Sequence, residues 1–103
     1  MKASLPVEVS GLAAQHIREL ELWWRRNRMA APNAVRKELQ RTLRLITATP
    51  YIGSRASDID LADVRRIHIP RIWYFLYCRV LHEPRRIELL ALSSDRREDG
   101  PPI

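Results

Sequence analysis

Scarcity narrows this sequence first. Its one cysteine, Cys78, cannot close a disulfide within the chain and sits in an apolar stretch, so a reducing, cytoplasmic setting is expected. No run of about 18 apolar residues occurs, which argues against a membrane-spanning helix. The opening MKASLPVEVS is too short and too polar for a secretion signal. Three glycines stand apart at positions 11, 53 and 100, so there is no glycine-rich phosphate loop. His16, His68 and His82 are far apart, with no neighbouring cysteine; no metal or cofactor is expected. Asp58, Asp60 and Asp63 in DIDLAD lack the glycine and terminal glutamate of a calcium loop and read as solvated. No serine lies in a nucleophile elbow.

What remains is a chain of 103 residues with 46% hydrophobic content, enough for one domain spanning 1–103. Net charge is +6, from 18 basic residues, nearly all arginine, against 12 acidic ones. That balance favours an acidic partner: nucleic acid, an acidic protein segment or an anionic surface.

Leu5, Val7 and Val9 alternate and predict a first strand, with Pro6 placing it at a sheet edge. Ser10 is positioned to cap a helix whose apolar stripe is Ala13, Ile17, Leu20 and Trp24. NRMAAPN breaks that pattern, and Pro32 suits the first turn of a second helix with stripe Val35, Leu39, Leu43 and Ile46. Residues 49–63 read as loop. Three strands follow, at 64–69, 72–81 and 86–93, joined by short turns as an antiparallel meander. SDRREDGPPI reads as a polar tail, partly disordered over 94–103. The order β-α-α-β-β-β predicts an α+β two-layer domain, an antiparallel sheet with a helical hairpin packed on one face.

The 72–81 strand raises a difficulty. One face carries Ile72, Tyr74, Leu76, Cys78 and Val80; the other carries Trp73, Phe75, Tyr77 and Arg79. Two helices cover only one face. Either the aromatic face is an interface, or the 49–63 loop or the tail folds over it. The sheet also gathers Arg65, Arg66, His68 and Arg79, with Arg96 and Arg97 just after it. Rings beside guanidinium groups can stack bases and bind phosphates, and His68 is the one histidine within the sheet able to act as general acid or base.

The element order, the TPYIG joint, the VRRIHIPRIWYFLYCRV hairpin, the IELLALSSDRR strand and the closing GPPI together resemble the RelE/ParE superfamily of type II toxin–antitoxin toxins, over residues 5 to 97. The resemblance implies either a RelE-like ribosome-dependent mRNA endonuclease or a ParE-like poison of DNA gyrase. RelE-like members carry a catalytic arginine in the strand matching 72–80 and often a late tyrosine or histidine. Here that arginine position is Phe75, and no Tyr or His follows Leu92. The resemblance therefore implies the ParE-like branch, including plasmid stabilisation, with no catalytic residues. A RelE-like reading would use Arg66, His68 and Arg79; an inactive, antitoxin-binding co-repressor is the further alternative. An acidic, amphipathic antitoxin segment is expected on Trp23, Trp73, Phe75, Tyr77 and Arg79, the gyrase contact on Arg96 and Arg97, and operator DNA is met only through the antitoxin.

Overall fold

The structure is a computed structural model that describes residues 5–103. Strand β1 (Val7–Val9) leads into helices α1 (Gly11–Asn27) and α2 (Ala34–Ala48). A two-residue strand β2 (Ser54–Arg55) follows, then β3 (Arg65–Ile69), β4 (Tyr74–Leu81) and β5 (Arg86–Ser94). The sheet order is β1-β5-β4-β3-β2. This is the expected α+β domain, with two differences. β1 runs parallel to β5, pairing Val7 with Ile87 and Val9 with Leu89, so the sheet is mixed rather than wholly antiparallel. β2 is an extra strand, cut from the expected loop, that extends the edge beside β3.

Local chemistry explains the elements. Ser10 caps α1: its Oγ accepts from the Ala13 N–H at 3.1 Å, satisfying a donor the helix cannot. Ala13, Leu20 and Trp24 are buried at their predicted helical spacing. Pro32 lies before the α2 cap, Asn33, rather than in the first turn. Val35, Leu39 and Ile46 of α2 join those residues, Leu76 and Cys78 of β4, and Ile87, Leu89 and Leu92 of β5 in the main core. Each fully buried aliphatic side chain contributes roughly 1.5–3 kcal/mol.

Where β1 ends, α1 takes over the edge of β5. The Ser10 Oγ donates to the Leu90 carbonyl at 3.1 Å, and the Leu92 N–H donates to His16 Nδ1 at 3.2 Å. His16 therefore faces the sheet edge. A buried edge must find such partners or leave costly orphan groups.

The second face of the sheet is covered by the chain itself. Tyr77, Leu90 and Ala91 form a second core with Ala56 and Val64, and Leu12, Ile59, Leu61, Phe75 and Ile103 pack against it. Both candidate covers contribute: the 49–63 segment through Ala56, Ile59 and Leu61, and the tail through Ile103, with Pro101 also buried. Gly100 lies against the Asp58 backbone so closely that a Cβ there would stand 2.7 Å from the Asp58 carbonyl oxygen. A β-bulge at Leu90 supports this second core. Tyr77 pairs with Ala91 and Cys78 with Leu89, leaving Leu90 as the extra residue. Leu90 and its neighbour Ala91 then both face the second layer.

Burial has a consequence at Cys78. Cys78 is 2% exposed, and loss of solvation pushes its thiol pKa up to about 11, with Arg65 opposing. Deprotonation in the folded state is thus harder than in the unfolded chain. Stability is intact below about pH 9 and falls as pH rises through the folded pKa, by an amount on the order of 2–3 kcal/mol. Denaturant unfolding at pH 8 and pH 11 should show this loss, and Cys78→Ala should remove that part of it.

Candidate functional site

The residues singled out in the sequence fall into two separate places. The first is the second sheet face. β3 pairs antiparallel with β4, setting Arg66 opposite Tyr77 and His68 opposite Phe75. The Arg66 guanidinium lies over the Phe75 ring, 4.3 Å from its centre, and its Nη1 is 3.6 Å from Asp58 Oδ2. The same carboxylate oxygen accepts from the Tyr77 hydroxyl at 2.7 Å. Burial first, then this hydrogen bond, raises the Tyr77 pKa, with Arg66 opposing. Asp58, read in the sequence as solvated, instead ties the covering loop to the sheet.

His68 packs on Phe75 at 4.9 Å between ring centres, and its Nε2 is 2.8 Å from Asp95 Oδ2. Arg79 Nε donates to Glu88 Oε1 across the β4–β5 pair at 2.8 Å. Arg66, His68 and Arg79 therefore share a face, but each faces its own carboxylate. Phe75, opposite His68, and Arg79 are four residues apart on β4, roughly 13 Å along an extended strand. An acid, a base and a cation acting on one phosphodiester must converge within hydrogen-bond reach of it. These three do not converge.

The aromatic face is not the open patch expected from alternation. Tyr77 is 2% exposed and Phe75 is half-buried under Arg66. Trp73 is not on that face at all. Pro70–Ile72 form a single 3₁₀ turn, and Trp73 ends it in the left-handed region at φ 59°. Pro70 starts that turn with its φ already set, and the strand begins at Tyr74 rather than at the expected Ile72.

That conformation delivers Trp73 to the second place, the C-terminal end of α1. Its ring is 5.9 Å from Trp24, which is 5.9 Å from Trp23. Trp23 is 44% and Trp73 41% exposed. Arg28 from the helix end reaches both exposed rings, its Cζ 5.5 Å from Trp23 and 5.6 Å from Trp73. Arg96, from the turn after β5, stands 5.8 Å from Trp73. Arg97 lines a neighbouring cleft with His16, Glu19, Trp23 and Tyr74. Burial raises the Tyr74 pKa, with Arg97 opposing. Arg28 was not singled out in the sequence, and its contacts, with Trp23 five residues back and with the distant Trp73, follow no simple helical spacing. Of the five residues expected to meet an antitoxin, Trp23 and Trp73 lie here, beside Arg96; Phe75, Tyr77 and Arg79 lie on the covered face.

Comparison with known proteins adds the following. The family model described as ParE toxin of type II toxin-antitoxin system, parDE, matches residues 7–99. No curated protein matches the chain. Among solved structures, the chain resembles one described as the chromosomal ParDE TA system from P. aeruginosa, with a TM-score of 0.67 and 14% identity. The likeness covers 88% of this chain and 96% of that one. At that identity it speaks for the fold alone.

Proposed function

Since the chain belongs to the ParE toxin family of type II toxin–antitoxin systems, we propose that it poisons DNA gyrase and is held inactive by a cognate antitoxin. The toxin acts in the cytoplasm, in keeping with a buried, unpaired Cys78 and no helix among the described residues long and apolar enough to cross a membrane. Its contact with operator DNA runs through the antitoxin.

One observation carries the choice of a binding mechanism over RNA cleavage. Each of the groups a nuclease would need is already engaged by a carboxylate of the chain: Arg66 by Asp58, His68 by Asp95, and Arg79 by Glu88. His68 and Arg66 both pack on Phe75, but Arg79 lies about four residues further along β4, roughly 13 Å away, so the three do not meet on one phosphodiester. The exposed cations Arg96 and Arg97, at the end of β5, are free to meet the target.

His68→Ala tests this. Expressed without antitoxin, the variant should arrest growth to within about twofold of the unchanged chain, because it loses only a partly exposed hydrogen bond to Asp95, worth about 0.5–1.5 kcal/mol. Cellular mRNA should stay intact in both cases. Loss of arrest in His68→Ala, together with mRNA cleavage by the unchanged chain, would instead establish the nuclease.

A further inference from the structure

Arg65 and Arg66 are adjacent on β3, and successive strand residues face opposite ways. Arg66 pairs with Tyr77 of the second core, and Arg65 pairs with Cys78 of the main core. Arg65 therefore emerges on the helix side of the sheet, beside the segment that leaves α2. There β2 sets Arg55 directly opposite Arg65. Like charges opposed across two strands repel. Among the described residues neither arginine forms an ion pair that would relieve this.

Arg65 is also held in place. Its Nη2 donates to the Gly53 carbonyl at 2.7 Å and its Nε to the Ile52 carbonyl at 3.4 Å. The rest of its N–H groups stay available. Both arginines line a cleft of about 390 Å³, together with Tyr51, Asp63, Val80 and His82. Tyr51 and His82 bring a hydroxyl and a ring nitrogen, and Val80 an apolar wall. Two guanidiniums against the one carboxylate of Asp63 leave the cleft with a single positive charge. Arg85, exposed in the same turn as His82, meets no carboxylate among the described residues either.

We propose that this cleft seats a phosphodiester of the DNA backbone, with phosphate oxygens on Arg55 and Arg65 and a deoxyribose against Val80. A tetrahedral phosphate presents oxygens to donors arriving from several elements, whereas a carboxylate offers two in one plane. Charge selects among phosphates. A diester carries one negative charge, which the cleft matches; a monoester carries nearly two, and Asp63 repels the second. Phosphate contacts carry no base information, so this contact is independent of sequence and separate from operator recognition through the antitoxin. It shares no residue with the indole cluster or with Arg96 and Arg97. A toxin at work on gyrase would use it to hold the DNA beside the enzyme, but the cleft does not depend on that reading.

The full chain is titrated into a short fluorescein-labelled DNA duplex of random sequence, and anisotropy is read at several salt concentrations. Arg55→Gln should weaken binding by about threefold to tenfold and lower the slope of log affinity against log salt by about 1. Arg55 is exposed and in no ion pair, so the thermal transition should not move. Arg36→Gln, at an exposed position of α2 outside the cleft, removes the same charge and should leave affinity within about twofold. Equal weakening by the two substitutions would mean that the net charge of +6 alone holds the duplex, and would overturn the proposal. Absence of binding at low salt would overturn it too. Competitors are then added at constant ionic strength and matched charge. Poly-glutamate displacing the label as well as unlabelled duplex would name a carboxylate ligand instead, and inorganic phosphate doing so would name a free anion; either contradicts the diester. The assay contains no gyrase, so its failure rejects the cleft and leaves the toxin reading to its own test.

Discussion

Pro101→Asp should lower stability by about 2–3 kcal/mol, a fall in Tm on the order of 10 °C or more for a domain of this size. Pro101 is buried and Ile103 packs into the second core beside Tyr77, Leu90 and Ala91. A carboxylate at 101 would be buried without a partner, so the tail should leave the sheet instead. Its departure gives up the burial of Pro101 and Ile103 and bares part of the Tyr77 face. Binding of a hydrophobic dye should rise in the same variant, as an apolar sheet face meets water. An unchanged Tm would mean that the 49–63 segment alone covers the face and that the tail contributes little.

Gly53→Val should cost at least as much, about 2–5 kcal/mol. Gly53 holds φ at 89°, where a β-branched residue is strained by roughly 1–2 kcal/mol. Space is also lacking: a Cβ there would stand 2.5 Å from the Arg66 carbonyl oxygen and 2.9 Å from Ile67 Cγ1. Overpacking against backbone adds about 1–3 kcal/mol, because a strand cannot yield as a side-chain tip can. The damage would spread to the site. Gly53 opens β2, which pairs Ser54 with Arg66, and the Gly53 carbonyl accepts from Arg65 Nη2 at 2.7 Å. Displacing β3 there would move Arg66 off Phe75 and Asp58. Urea unfolding measures the loss; a variant as stable as the parent would show that β2 is not needed to hold β3 in place.

The sequence was most legible where a single period governs. The stripes on α1 and α2 and the cap at Ser10 follow from spacing and from one hydroxyl, and the structure keeps them. The alternation of Leu76 and Cys78 against Phe75 and Tyr77 was also readable, because a strand has only two faces. Alternation did not extend to Trp73, since the 3₁₀ turn set by Pro70 takes that residue out of the strand. The bulge at Leu90 carries no glycine or proline to mark it and arises from packing on both layers. The parallel pairing of β1 depends on contacts about 80 residues apart, beyond any local pattern.

The candidate site was half legible for the same reason. Its residue types stood out: indoles, guanidiniums and a histidine. Their partners did not, because Asp58 reaches Tyr77 and Arg66, and Asp95 reaches His68, only through the fold. Apolar Ile59 and Leu61 between the loop aspartates, and Ile103 at the end of the tail, were the available sign that these segments cover the sheet. Two aromatics thought to be open to a partner are instead covered by their own chain, and the exposed edge lies one helix away, at Trp23 and Trp73.

The central claim is that this chain acts by binding gyrase. Purified gyrase should be assayed for supercoiling of relaxed plasmid with the chain added, with and without antitoxin, and the DNA examined for enzyme-linked breaks. The account predicts lost supercoiling with accumulation of cleaved, enzyme-bound DNA, reversed by antitoxin. Unimpaired supercoiling at a concentration that arrests growth would contradict it, and ribosome-dependent mRNA cleavage through Arg66, His68 and Arg79 would become the reading to pursue.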